Sequence, residues 1–152
     1  MLARLLLNSG QPISVTVLER EGSINFRSQG GTLDLHVKTG QAALVEAKLW
    51  DEFLRDARYD GEAIKLADKN LLCYINLGQG KPNSAAGTGR PEIDRPVLRE
   101  MLYKSLPEGT VRWNKKLQTV DEKLALHFAD GSVEEGFDLI VCIALLGRRT
   151  KC

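Results

Sequence analysis

The chain is 152 residues long, which at roughly 100–200 residues per domain suffices for one core and is short for a multidomain enzyme. Its 21 Lys+Arg against 20 Asp+Glu leave a net charge of +1, and 43% of its residues are hydrophobic, a balance that points to neither a disordered chain nor a basic nucleic-acid binder. The longest apolar run, Leu139 to Leu146, falls well short of the roughly 18 residues that a membrane-spanning helix requires.

Leu2, Leu5 and Leu6 share one face of a short predicted helix that Asn8-Ser9-Gly10 closes. That stretch ends too soon for a secretory signal, and its clustered leucines with a single Arg4 suit a helix better than a transit peptide. Ile13 to Leu18 is β-branched and reads as a strand with Glu19 at its end. Between Thr39 and Ala57, the positions Ala42, Ala43, Ala47, Leu49, Trp50, Phe53 and Leu54 predict one or two short helices. Brief strands are expected near Ala63 to Ala67 and Leu71 to Ile75.

Gly78 to Glu92 carries four glycines and two prolines and reads as a surface loop. Asp94 is placed to cap a helix with Pro96 in its first turn and an apolar stripe of Val97, Leu98, Met101, Leu102 and Leu106. A strand near Thr110 to Trp113 and an antiparallel meander follow: Lys116 to Val120, Leu124 to Phe128 and a third strand after the Asp130-Gly131 turn. Phe137 to Cys142 reads as a buried strand. No repeat of solenoid period is present.

Two glycine clusters fail as phosphate sites. In Gly78-Gln79-Gly80-Lys81, Ile75 stands where a phosphate loop needs its first glycine, and Pro82 replaces the magnesium-binding hydroxyl. Gly87-Thr88-Gly89-Arg90-Pro91-Glu92 ends in Glu where a dinucleotide fingerprint needs a small residue. Cys73, Cys142 and Cys152 are odd in number and lack metal-ligand spacing, as do His36 and His127, so neither a disulfide framework nor a metal site is expected, and a reducing, cytoplasmic compartment fits. No nucleophile-and-base arrangement can be drawn from spacing, and the catalytic residues stay unassigned. Composition and periodicity thus reach an α/β domain with a small antiparallel β-meander.

Five stretches together are similar to the N-terminal part of the class A flavin monooxygenases, closest to the group with the tetracycline-inactivating enzymes and related fungal FAD-dependent oxygenases. They are Leu2 to Leu7, Val15-Thr16-Val17-Leu18-Glu19-Arg20, Gly30-Gly31-Thr32-Leu33-Asp34-Leu35-His36, Arg90-Pro91-Glu92-Ile93-Asp94-Arg95 with Pro96 to Arg99, and Phe137 to Cys142. The resemblance implies a partial FAD-binding, Rossmann-like domain of the glutathione-reductase type over residues 1–142, with 143–152 an unrelated tail. It implies that Glu19 holds the adenosine ribose with Arg20 beside the adenine, that Arg95 reaches the FAD from the start of its helix, and that Asp34 lies near the flavin end. NAD(P)H would reduce the flavin, and an oxygen atom would pass to an aromatic or polyketide-like small molecule, as in secondary metabolism.

Family members open with a strand and a Gly-x-Gly-x-x-Gly turn, whereas this sequence begins inside the helix that follows, and Ile143 to Cys152 shows no likeness. The expectation is a partial monooxygenase, inactive in this form, with Glu19 and Arg95 facing one cleft beside the carboxyl ends of a mostly parallel sheet. The alternative is a non-enzymatic α/β remnant or interaction module that uses no cofactor.

Overall fold

The computed structural model describes residues 1–26, 30–59, 64–77 and 89–143. In chain order its elements are α1 (Leu2–Asn8), β1 (Val17–Leu18), β2 (Thr32–Asp34), a single π-helical turn (Val37–Gln41), α2 (Ala42–Glu46), α3 (Trp50–Asp56) and β3 (Ile64–Ala67). After these come β4 (Cys73–Leu77), β5 (Glu92–Asp94), α4 (Arg95–Lys104), β6 (Val111–Arg112), β7 (Leu117–Val120), β8 (Leu126–Phe128) and β9 (Val133–Glu134). They form two compact units, one of Met1–Val15 with Arg27–Pro107 and one of Thr16–Phe26 with Glu108–Cys152.

The first unit is built on α4. Val97, Leu98, Met101 and Leu102 recur at the three- and four-residue spacing of one helix face. That stripe meets a buried cluster of Leu44, Ala47, Leu49, Phe53, Ile93 and Met101, with Met1 and Leu5 of the N-terminal segment packed against it. Phe53 is fully buried, a burial that stabilises by roughly 1.5–3 kcal/mol, and its ring lies 5.3 Å from that of Trp50. Arg4 projects from α1 to donate to the carbonyls of Ser105 (2.8 Å) and Ala47 (3.4 Å), and Asn8 Nδ2 donates to Ala47 at 3.1 Å. These carbonyls end α4 and α2. A guanidinium there satisfies orphan acceptors and meets the negative ends of two helix dipoles.

Helix α2 closes with a left-handed residue. Leu49 N–H bonds the Leu44 carbonyl at 2.9 Å and Lys48 N–H that of Val45 at 3.0 Å, with Lys48 at φ 58°, the Schellman arrangement in which glycine is the usual occupant. The buried Gln41 donates its amide to the carbonyls of Leu35 (2.8 Å) and Gly89 (3.0 Å), tying the exit of β2 to the entry of β5. Strands β2 and β5 pair antiparallel, as do β3 and β4.

In the second unit β1 pairs parallel with β6, Val17 opposite Val111 and Leu18 opposite Arg112. Strands β7, β8 and β9 form the antiparallel meander, burying Ala125, Leu126 and Phe128. Both of its turns are held by carboxylates: Asp121 Oδ1 accepts from the N–H groups of Lys123 and Ala125, and Asp130 Oδ1 from that of Ser132. Glu134 receives a bidentate Arg112 at 2.6 Å on each oxygen and Lys115 at 2.7 Å, and Lys115 also stands 4.7 Å over the Phe128 ring.

The mixed α/β class and the meander agree with the sequence, while four expectations need correction. The sheet is not mostly parallel: among the described residues β1–β6 is one parallel pair beside three antiparallel ladders. Ile13 to Leu18 is strand only at Val17–Leu18, because β6 offers a partner for those two residues alone. Glu92 belongs to β5 rather than to a loop. Phe137 to Cys142 forms no strand; Leu139 is 78% exposed and Val141 54%, and no strand among the described residues pairs with it. Residues 78–88, with the Gly78 and Gly87 clusters, and 144–152 of the tail lie outside the described residues.

Candidate cofactor site

Glu19 follows β1 with its backbone fixed on both sides: its N–H bonds the Arg112 carbonyl at 3.0 Å, and its own carbonyl accepts from Lys115 at 2.8 Å. One carboxylate oxygen, Oε1, accepts the Glu21 N–H at 3.2 Å, and no other hydrogen bond to this carboxylate forms among the described residues. Arg20 is exposed beside it. A carboxylate held at the carboxyl end of a parallel strand, with acceptor capacity in hand, has the chemistry to take ribose hydroxyls.

In the first unit the β2–β5 ladder sets Thr32 opposite Asp94, Leu33 opposite Ile93 and Asp34 opposite Glu92. Side chains alternate along each strand, so Thr32, Asp34, Glu92 and Asp94 share one face while Leu33 and the fully buried Ile93 turn to the core. Gly31 precedes β2 at φ +94°, and a Cβ at either Gly30 or Gly31 would meet no atom within 4 Å. Backbone is thus bare at this corner. The Gly31 carbonyl accepts the N–H of Arg95 at 3.1 Å, joining the glycine pair to the first residue of α4.

The structure therefore sets Arg95 at the Thr32–Asp94 end of the β2–β5 ladder, beside Gly31, and Asp34 at the opposite end across from Glu92, while Glu19 and Arg20 lie in the other unit. Arg95 and Asp34 are both exposed. Among the described residues, no hydrogen bond or ion pair engages either side chain. An unengaged guanidinium beside bare glycine backbone fits a phosphate-bearing cofactor, because guanidinium stays ionised and presents a fork of donors. No group of His, Cys, Asp and Glu able to hold a metal ion occurs among the described residues, and no helix there is long and apolar enough to cross a membrane.

Asp94 departs from its expected role. It occupies the N-cap position of α4, yet its side chain makes no cap hydrogen bond. Arg58 takes it instead, Nη1 to Oδ2 at 3.0 Å and Nη2 to Oδ1 at 2.8 Å, and these bonds hold the Asp94 carboxyl below the usual carboxylate range. Pro96 at the second helical position removes one N–H that a capping Asp would seek. Arg58 was not singled out in the sequence: it lies 36 positions from Asp94, beyond any local spacing rule. Its main chain bridges Glu92 in both directions, at 2.8 and 2.7 Å.

No family model matches the chain. Monooxygenase penA of Penicillium thymicola is 31% identical over 141 residues, 89% of this chain and 29% of the relative. The FAD-dependent monooxygenase eupB of a Phoma species is 35% identical over 66 residues, 41% of this chain and 15% of the relative. The chain belongs to the class A FAD-dependent monooxygenase family. Its matches span about a third or less of the length of these relatives, as the structures also show. The tetrameric form of 2-methyl-3-hydroxypyridine-5-carboxylic acid oxygenase superposes with a TM-score of 0.64 at 17% identity, over 88% of this chain and 33% of that one. The tetracycline destructase Tet(55) superposes with a TM-score of 0.60 at 15% identity, over 88% and 32%. At those identities the two superpositions bear on fold, and they place this mixed α/β chain within part of the monooxygenase architecture.

Proposed function

We propose that the chain supplies part of the FAD site of a class A monooxygenase that acts, as a whole, on an aromatic or polyketide-like small molecule with NAD(P)H as reductant. The observation that carries this reading is the relatedness to monooxygenases over 89% of the chain, joined to an exposed Arg95 and bare glycine backbone at one corner. The architecture is read as a partial Rossmann-like, glutathione-reductase-type domain over residues 1–142, with a tail over 143–152. The odd cysteine count favours a reducing compartment, and we assign it to the cytoplasm.

In this reading Glu19 accepts the adenosine ribose hydroxyls, Arg20 lies beside the adenine, Arg95 donates to phosphate or ribityl oxygens, and Asp34 lies toward the flavin end. FAD, when bound, supplies the electron transfer and oxygen activation that no side chain here provides. The chain's own contribution is binding and orientation, through the Glu19 carboxylate of one unit and the Arg95 guanidinium of the other. These 152 residues contain no Gly-x-Gly-x-x-Gly turn opening a helix, so they lack the backbone cradle that neutralises a pyrophosphate. The chain by itself is accordingly proposed to hold FAD weakly and to be inactive.

The test is to purify the 152-residue chain, mix it with FAD, pass it through gel filtration and record its visible absorbance. A colourless protein that shows saturable binding in an equilibrium titration supports the reading. A yellow monomer that keeps FAD through the column contradicts the weak-binding proposal, and no binding at any FAD concentration contradicts the site assignment.

A further inference from the structure

We infer that Arg58 is a positioning residue that occupies Asp94 and thereby leaves the neighbouring Arg95 free for an anionic ligand; the inference rests on the assignment of Arg95 to a phosphate-bearing cofactor. Four observations carry it. Arg58 spends both terminal nitrogens on both Asp94 oxygens, at 3.0 and 2.8 Å. Its main chain is pinned to Glu92 by two hydrogen bonds, so the guanidinium is delivered from a fixed point on the β5 backbone. Asp94 is the residue immediately before Arg95 and is only half-buried. Arg95, exposed at the start of α4, has no side-chain partner among the described residues.

An aspartate beside an arginine at a helix start has two local outlets. It can cap the helix or pair with the adjacent guanidinium. Either would put a carboxylate where an incoming phosphate has to sit, and like charges at that distance disfavour binding. Capping is already handicapped by Pro96, which has no N–H to give. Pairing with Arg95 is then the main competitor, and the bidentate Arg58 removes it. The crowding of acid on this face makes the device necessary: Asp34, Glu92 and Asp94 all project from it, so an anion meets a favourable field only where Arg95 is unspent.

The experiment uses the full chain and the variants Arg58→Ala, Asp94→Asn, Arg58→Ala/Asp94→Asn and Arg95→Ala, with FAD as probe in an equilibrium fluorescence titration. Loss of the guard should weaken FAD about as much as loss of Arg95, roughly ten-fold or more for a charge-assisted contact. Adding Asp94→Asn should restore binding to near the parent value. A residue that served only the fold would leave the double variant as weak as Arg58→Ala, and that result overturns the inference.

A second measurement separates this inference from the cofactor reading. The Asp94 carboxyl is titrated by carbon-13 NMR in the absence of FAD. In Arg58→Ala its pKa should stay low, because Arg95 now pairs with it, and should rise to an ordinary value only when Arg95→Ala is added. An ordinary value in Arg58→Ala alone overturns the guard role. If Arg95→Ala leaves FAD binding unchanged, the cofactor reading fails, and the carboxyl titration alone decides the inference. Should alanine at 58 unfold the chain by circular dichroism, Arg58→Gln, which keeps length and polarity without charge, takes its place in both measurements.

Discussion

Asp34 and Glu92 stand directly across the β2–β5 ladder from each other, two carboxylates on one face with no cation bonded to either among the described residues. Like charges at directly opposed sites destabilise a ladder by up to roughly 1 kcal/mol. Glu92→Gln is therefore expected to stabilise the chain by about 0.2–1 kcal/mol, read from urea midpoints at pH 7. The gain should shrink in 1 M salt, where exposed charges are screened. A gain that salt does not alter would mean that repulsion across the ladder is not its source.

Asp94 and Glu134 both have carboxyls held below the ordinary range, Asp94 chiefly by hydrogen bonds from Arg58 and Glu134 by those from Lys115 and then Arg112. A carboxyl lowered in the folded state binds protons more readily when unfolded. The stability that it contributes is thus fully present above the unfolded value, near 4 for a carboxylate, and is lost as pH falls through the lower folded value. Asp94→Asn should accordingly be less stable than the parent by a constant margin from pH 7 to about pH 5, with the margin closing below pH 4. A margin that is independent of pH down to pH 2 would show that Arg58 gains nothing from the charge.

Lys48 occupies the left-handed position that closes α2, at φ 58°. A non-glycine residue there costs on the order of 1 kcal/mol, offset in part by the extra freedom that glycine has when unfolded. Lys48→Gly should therefore raise stability by about 0.5 kcal/mol, a rise in Tm of about 1–2 °C for a chain of this size. A fall in Tm would indicate that the lysine side chain contributes more than its strain costs.

Much of the fold was legible where the pattern is local. The α4 stripe shows in the spacing of Val97, Leu98, Met101 and Leu102, and the β8–β9 turn in Asp130-Gly131. What was not legible depends on distant partners. Strands β2 and β5 are three residues long, too short for alternation to register, and exist because Gln41 and Arg58 pin their ends. The close of α2 was hidden because a lysine, not a glycine, sits at the turn. Phe137 to Cys142 has the composition of a strand, but no strand among the described residues pairs with it. At the candidate site, the strand-end acid Glu19 and the helix-start Arg95 could be named from sequence, whereas the Arg58 clamp on Asp94 could not.

Phe53 lies at the centre of the first unit's core, fully buried among Leu44, Leu49 and Ile93. Phe53→Ala should cost about 3–5 kcal/mol, a large share of the stability of a chain this size. Hydrogen exchange should then rise throughout α3 and α4. Unchanged protection of the α4 amides would mean that this cluster does not hold the helix.

The most direct test of the central claim, that this chain carries an FAD contact at Arg95, is an equilibrium titration of the parent and Arg95→Ala with FAD at low ionic strength. Saturable binding that weakens by about ten- to a hundred-fold in the variant, the value of one charge-assisted contact, is the predicted result. Equal affinity in the two proteins would contradict it and leave Arg95 an ordinary solvated charge at a helix start.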